Sequence, residues 1–164
     1  MTDPMHEFLA EGMIRYKPAA ATMVSFGKAI EERLQRILSS REPDQWGGFV
    51  PSDDARARST TYWSKYPLLN AKLSGTLGDL RVTVELHVDW YNADGDYPLY
   101  SVVLTGLGPH EAAARAFAWP DGLERLRGGA GAKLMPTPSD FDLARDFDRL
   151  LDAVASFFAA CLAE

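Results

Sequence analysis

The sequence is most informative first in what it lacks. No stretch of it approaches the roughly 18 consecutive apolar residues that a membrane-spanning helix needs. Cysteine occurs once, as Cys161, which excludes an intramolecular disulfide framework and a cysteine-based zinc cluster. The three histidines, His6, His87 and His110, show no metal-ligand spacing, so no metal and no other cofactor is expected. There is no Gly-x-Ser-x-Gly elbow and no Gly-x-Gly-x-x-Gly fingerprint after a strand, so the usual signatures of an α/β-hydrolase nucleophile and of dinucleotide binding are missing. Internal repeats and low-complexity tracts are missing too.

Basic excess is also lacking. Seventeen Lys and Arg stand against 23 Asp and Glu, giving a net charge of −6 and a pI near 5.1. Such a chain is repelled by bulk nucleic acid and by anionic membranes, so neither is an expected partner. The first residues have no basic region followed by an apolar one, and with a single thiol this leads us to expect a reducing cytoplasm. Abundant alanine and a preference for arginine over lysine suit a GC-rich bacterial genome.

What is present reads as one globular domain. Hydrophobic residues make up 46% and charged residues 24% of 164 positions, enough apolar material for a core without a metal or a staple. Residues 4–15 suit a short helix with Phe8, Leu9, Met13 and Ile14 as its apolar side, ended by Pro18. From about 19 to 40, Met23, Phe26, Ile30, Leu34, Ile37 and Leu38 recur at spacings of three and four, which predicts a long amphipathic helix.

The period then changes. Leu80, Val82, Val84, Leu86, Val88 and Trp90 alternate strictly with Arg81, Thr83, Glu85, His87, Asp89 and Tyr91. This period of two predicts a long strand with one buried face. Strands are expected before it at 69–75 and after it at 97–105, with turns at Gly75–Asp79 and Asn92–Asp96. Weaker candidates are 47–51, 59–66 and two short edge strands within 123–135. A short helix is expected at 109–117. A last helix begins with Ser139 as its N-cap and Asp142 three residues on, and its apolar face runs from Phe147 through Leu150, Leu151, Val154, Phe157 and Phe158 to Cys161. The expected class is α+β: an antiparallel meander of four to five strands, with the long N- and C-terminal helices packed on one face.

Four constellations could carry function. Arg81, Glu85, His87 and Asp89 share one strand face, and a carboxylate beside an imidazole suits hydrolytic acid–base chemistry. The plainer reading is the solvated face of a half-buried sheet. Asp89, Asp94 and Asp96 surround a glycine, yet the spacing is not that of a calcium loop and reads better as a turn. Arg125, Arg127 and Lys133 flank Gly128-Gly129-Ala130-Gly131, a loop whose amides could cradle phosphate or nucleic acid, although the Gly-Lys-Ser/Thr ending of a P-loop is missing. Finally, Trp46, Tyr62, Trp63, Tyr66, Trp90, Tyr91, Tyr97 and Tyr100 concentrate aromatics in the middle of the chain. Such residues favour interfaces as well as strands. Catalysis being poorly supported, the expected function is a non-catalytic interaction domain. It would present a sheet face or edge, with Trp63, Tyr91, Arg81 and His87, to a protein partner or to a second copy.

Overall fold

A computed structural model of the chain describes residues 4–52, 60–61, 68–89, 98–135 and 142–163. Helix α1 (Pro4–Ser40) leads through a 3-10 turn at Pro43–Trp46 to β1 (Phe49–Pro51) and β2 (Thr60–Thr61). Strands β3 (Leu68–Leu77), β4 (Leu80–Asp89) and β5 (Leu99–Thr105) follow. A second 3-10 turn, Gly108–His110, precedes α2 (Glu111–Ala116). The chain then forms β6 (Glu124–Arg125), β7 (Ala130–Leu134) and α3 (Leu143–Ala163).

All strand pairs are antiparallel, in the order β1-β3-β4-β5-β7-β6, with β2 also pairing to β3. Four strands, β3, β4, β5 and β7, carry the sheet, and strands of two or three residues finish its edges. The class is α+β, as the switch of hydrophobic period predicts.

The alternation along β4 decides how the layers stack. Val82, Val84, Leu86 and Val88 are buried. They lie in rows with Leu73, Ala71 and Leu69 of β3, with Leu104, Val102 and Tyr100 of β5, and with Ala130, Ala132 and Leu134 of β7. Against this layer pack Ile30, Leu34, Ile37 and Leu38 of α1 and Phe147, Leu150, Leu151, Val154, Phe157, Phe158 and Cys161 of α3, in one continuous cluster. Small residues on β7 let α3 approach closely, and Tyr100 meets Phe147 at 5.0 Å between ring centres. Burial, then the charges of Asp146 and Asp142, push the Tyr100 hydroxyl well above its usual range.

The connection from α1 to the sheet is pinned by aromatics and one arginine. Trp46, Phe49 and Phe158 form a continuous ring contact, with centroids 5.7 and 5.4 Å apart. Arg41 lies over Trp46 at 5.2 Å and donates to Asp152 at 2.7 Å and to the Gln45 carbonyl at 2.8 Å. It also reaches Asp148 at 3.4 Å. Its side chain is only 4% exposed, although both acids face water. Two glycines make this corner possible. A Cβ at Gly47, which sits at φ 62, would strike the backbone of Ala155, and one at Gly75 would strike the Val50 carbonyl and the Phe49 ring.

Two local expectations are corrected. Pro18 does not end a helix: the expected short helix at 4–15 and the longer one from 19 are a single α1 of 37 residues with Pro18 inside it. A proline removes one backbone donor and crowds the preceding turn, but Ala19, Ala20 and Ala21 are strong helix formers. The Thr22 hydroxyl also donates to the Pro18 carbonyl at 2.9 Å, an added bond in the turn that follows the proline. The cap of α3 is Asp142 rather than Ser139. Asp142 Oδ1 accepts the Arg145 amide at 3.1 Å, so the acid read as the third helical residue is itself the cap. Ser139 lies outside the described residues, as do Asn92–Asp96 and most of the expected strand at 59–66.

Two predictions follow from the layers. Leu86→Ala opens a cavity in the buried row and is expected to lower unfolding free energy by about 2–5 kcal/mol in denaturant titration. Arg41→Ala removes charged hydrogen bonds and packing on Trp46, and is expected to cost about 2 kcal/mol with an unchanged denaturant slope. Arg41→Lys should recover little of that loss, because lysine offers no planar fork to two acids and a carbonyl at once.

Candidate functional site

The sheet's other face is built from the residues between the core rows. Strand register sets Asn70, His87, Ser101, Lys133 and Glu124 in one line across β3, β4, β5, β7 and β6. The next line is Lys72, Glu85, Val103 and Gly131, and the one after is Ser74, Thr83 and Thr105. Arg81 lies beside Thr76 at the far end of β4.

The two ends of this face differ. At the His87 end the polar groups are covered: Asn70, Asp89 and Ser101 are buried, and His87 and Glu85 expose only 21% and 16% of their side chains. At the Arg81 end the face is open. Val50, Ser52, Ser74, Thr76, Arg81 and Thr83 line a cleft of about 730 Å³. Four of its nine lining residues carry hydroxyls, and the Arg81 guanidinium, the exposed Val50, Pro51, Gly75 and Val82 complete it. At its β1 side, Ser52 donates through both its amide and its hydroxyl to the Ser74 carbonyl, at 3.0 and 2.7 Å.

Glu85 is the centre of the charged part. One carboxylate oxygen is 2.9 Å from Lys72 Nζ and the other is 3.3 Å from His87 Nε2. Partial burial raises its pKa. The hydrogen bonds from Lys72 and His87, and their positive charges, more than offset that and hold Glu85 below the usual carboxylate range. A carboxylate held ionised by two donors is a poor general acid. What it does well is tie β3 to β4 across the ladder. Asp89 shares the face and is buried two residues beyond His87. Among the described residues no group of His, Cys, Asp and Glu is arranged to hold a metal ion.

The basic glycine loop is divided by its own hairpin. Lys133 stands on the second face and is paired with Glu124 at 3.0 Å. Arg125 lies opposite Ala132, in the row of the helix-covered face, and donates to the Phe117 carbonyl at 3.3 Å. Arg127 is exposed in the turn between the two strands. The three cations adjacent in sequence are therefore not brought to one side of the sheet. The polarity of the second face was legible from alternation. Its division into a shielded end and an open one was not, because burial depends on which neighbours strand pairing brings to each end. Trp63, Tyr91, Asp94 and Asp96 lie outside the described residues.

Because Glu85 titrates lower in the folded protein than in the unfolded chain, it adds stability above the unfolded carboxylate pKa, which is lost as pH falls through the lower folded value. The melting temperature of Glu85→Gln should thus fall below that of the wild type at pH 7, by an amount corresponding to roughly 0.5–1 kcal/mol, with the two converging as pH is lowered through the folded value of Glu85. No family model, no curated protein and no solved structure matches this chain.

Proposed function

We propose that this protein is a non-catalytic interaction domain that binds a protein partner at the open, Arg81 end of its polar sheet face. The observation that carries this reading is the contrast between the two ends. The acid–base residues near His87 are bound to one another and largely covered, whereas the cleft at Arg81 is open and rich in hydroxyls. Hydroxyls and a guanidinium suit the amides, carbonyls and carboxylates of a polypeptide segment. The face is favoured over the edges because the described edge strands β1 and β6 have three and two residues, too short to template a long added strand. Trp63 and Tyr91, the aromatic anchors expected from the sequence, carry no part of this proposal, since the described residues nearest them in the chain, Thr61 and Asp89, stand at the His87 end.

Affinity capture with the full chain tests it. A defined partner set should be recovered by the wild type and reduced at least about fivefold with Arg81→Glu, while Glu124→Ala, far across the sheet, recovers it in full. Recovery indifferent to Arg81 defeats the reading. A hydrolytic reading has one observation in its favour, the 3.3 Å contact of Glu85 with His87, and it requires a turnover that His87→Ala abolishes.

A further inference from the structure

Strand pairing lays the side chains at the open end of the polar face in two rows. Val50, Thr76 and Arg81 stand side by side on β1, β3 and β4. Next to them run Ser74, Thr83 and Thr105 on β3, β4 and β5, with Ser52 fastened to the Ser74 carbonyl at the β1 side. Neighbouring strands are about 4.8 Å apart, so the valine and the arginine are rooted about 10 Å from each other with a threonine between them. Every position of the second row carries a hydroxyl.

Charge is unevenly spread over this face. Lys72 is held by Glu85 at 2.9 Å and Lys133 by Glu124 at 3.0 Å, so the charge of each lysine is already answered. Arg81 is exposed and makes no ion pair among the described residues, not even with Asp79 in the adjoining turn. Among the described residues no acid lines the cleft, and its lining holds no charge besides the Arg81 guanidinium. The backbone that carries this cation is closely packed. Gly106, at φ 81, brings the chain leaving β5 so near that a Cβ there would strike the Arg81 carbonyl. The guanidinium thus rises from a strand with neighbours on both sides, with the hydroxyl of Thr76 beside it in the row and that of Thr83 two residues on.

These features select an occupant. A planar guanidinium matches the two oxygens of a carboxylate, and one positive charge balances one carboxylate. A phosphate group carries nearly two negative charges, and among the described residues the lining has no second cation to meet the other. The net charge of −6 further opposes a polyanion or a long acidic run. Beyond Thr76 in the same row, Val50 is 62% exposed and offers an apolar contact. The hydroxyls between and beside these two both donate and accept, which suits peptide amides and carbonyls.

Resting on the binding role proposed above for this end, we infer that the cleft recognises a polypeptide segment bearing one aspartate or glutamate, held by Arg81 with Thr76 and Thr83, and one apolar side chain set against Val50. Short random peptides displayed on phage and selected on the immobilised full chain test it. Peptides enriched by the wild type should carry a single Asp or Glu at least about threefold more often than the starting library, together with an apolar residue. Arg81→Ala should abolish the acid preference and Arg81→Glu should replace it with Lys or Arg, each variant melting like the wild type by circular dichroism. Val50→Ser should keep the acid and lose the apolar residue. A selected peptide made again with phosphoserine in place of its acid should bind at least about fivefold more weakly. Enrichment that depends on Arg81 but shows no acid overturns the inference and leaves the protein-partner reading standing. Enrichment indifferent to Arg81, or none at all, overturns it as well, and capture of a partner set by the wild type but not by Arg81→Glu then decides the broader reading separately. Tighter binding of the phosphoserine peptide overturns the choice of a carboxylate, and an apolar preference that survives Val50→Ser overturns the role of Val50.

Discussion

The fold depends on covering one face of β4. Val82, Val84, Leu86 and Val88 point one way from a strand that sits near the middle of the sheet. Each is worth about 1.5–3 kcal/mol when shielded from water, and no loop covers so long a row as well as a helix. Helix α3 supplies most of the cover with its aromatic stripe, and the last third of α1 completes it. Everything else about the architecture serves that contact. Arg41 and Trp46 hold the end of α1 to α3, and Gly47 and Gly75 permit the close approaches that bring β1 to the sheet edge.

The opposite face inherits its character from the same constraint. A strand that turns aliphatic residues inward turns Arg81, Thr83, Glu85, His87 and Asp89 the other way, so this polar line exists whether or not it has a chemical task. The ion pair of Glu85 with Lys72 is a cross-strand contact of the kind any antiparallel ladder forms when opposite charges share a row, and His87 meets the same carboxylate from two residues along β4. That is why the acid–base residues carry little weight for catalysis and why the open cleft, rather than the charged cluster, carries the binding proposal.

The N-terminal helix raises a separate question of economy. Among the described residues the α1 side chains of the core all lie in its last third, yet the helix continues for more than 20 Å beyond it. An isolated helical extension gains little from tertiary packing and is marginal in water by itself.

Periodicity determined a good deal without coordinates. Strict alternation from Leu80 to Asp89 announced β4, spacings of three and four announced the cores of α1 and α3, and a glycine-bearing segment at Gly75–Asp79 announced the β3–β4 turn, which strand pairing narrows to Gly78–Asp79. These are local signals, written wherever one side of an element must meet oil and the other water. Other features were decided only by tertiary structure. Pro18 is a breaker by local rule and is nonetheless carried within α1. Asp142 caps α3, a role the local pattern gave to Ser139. Arg125 and Lys133, near neighbours along the chain, stand on opposite faces because strand register, and not sequence proximity, assigns the side on which a residue emerges. Which polar residues are sheltered and which lie in a cleft was likewise settled by strands remote in sequence, since burial is a property of the neighbours a residue acquires and not of the residue itself.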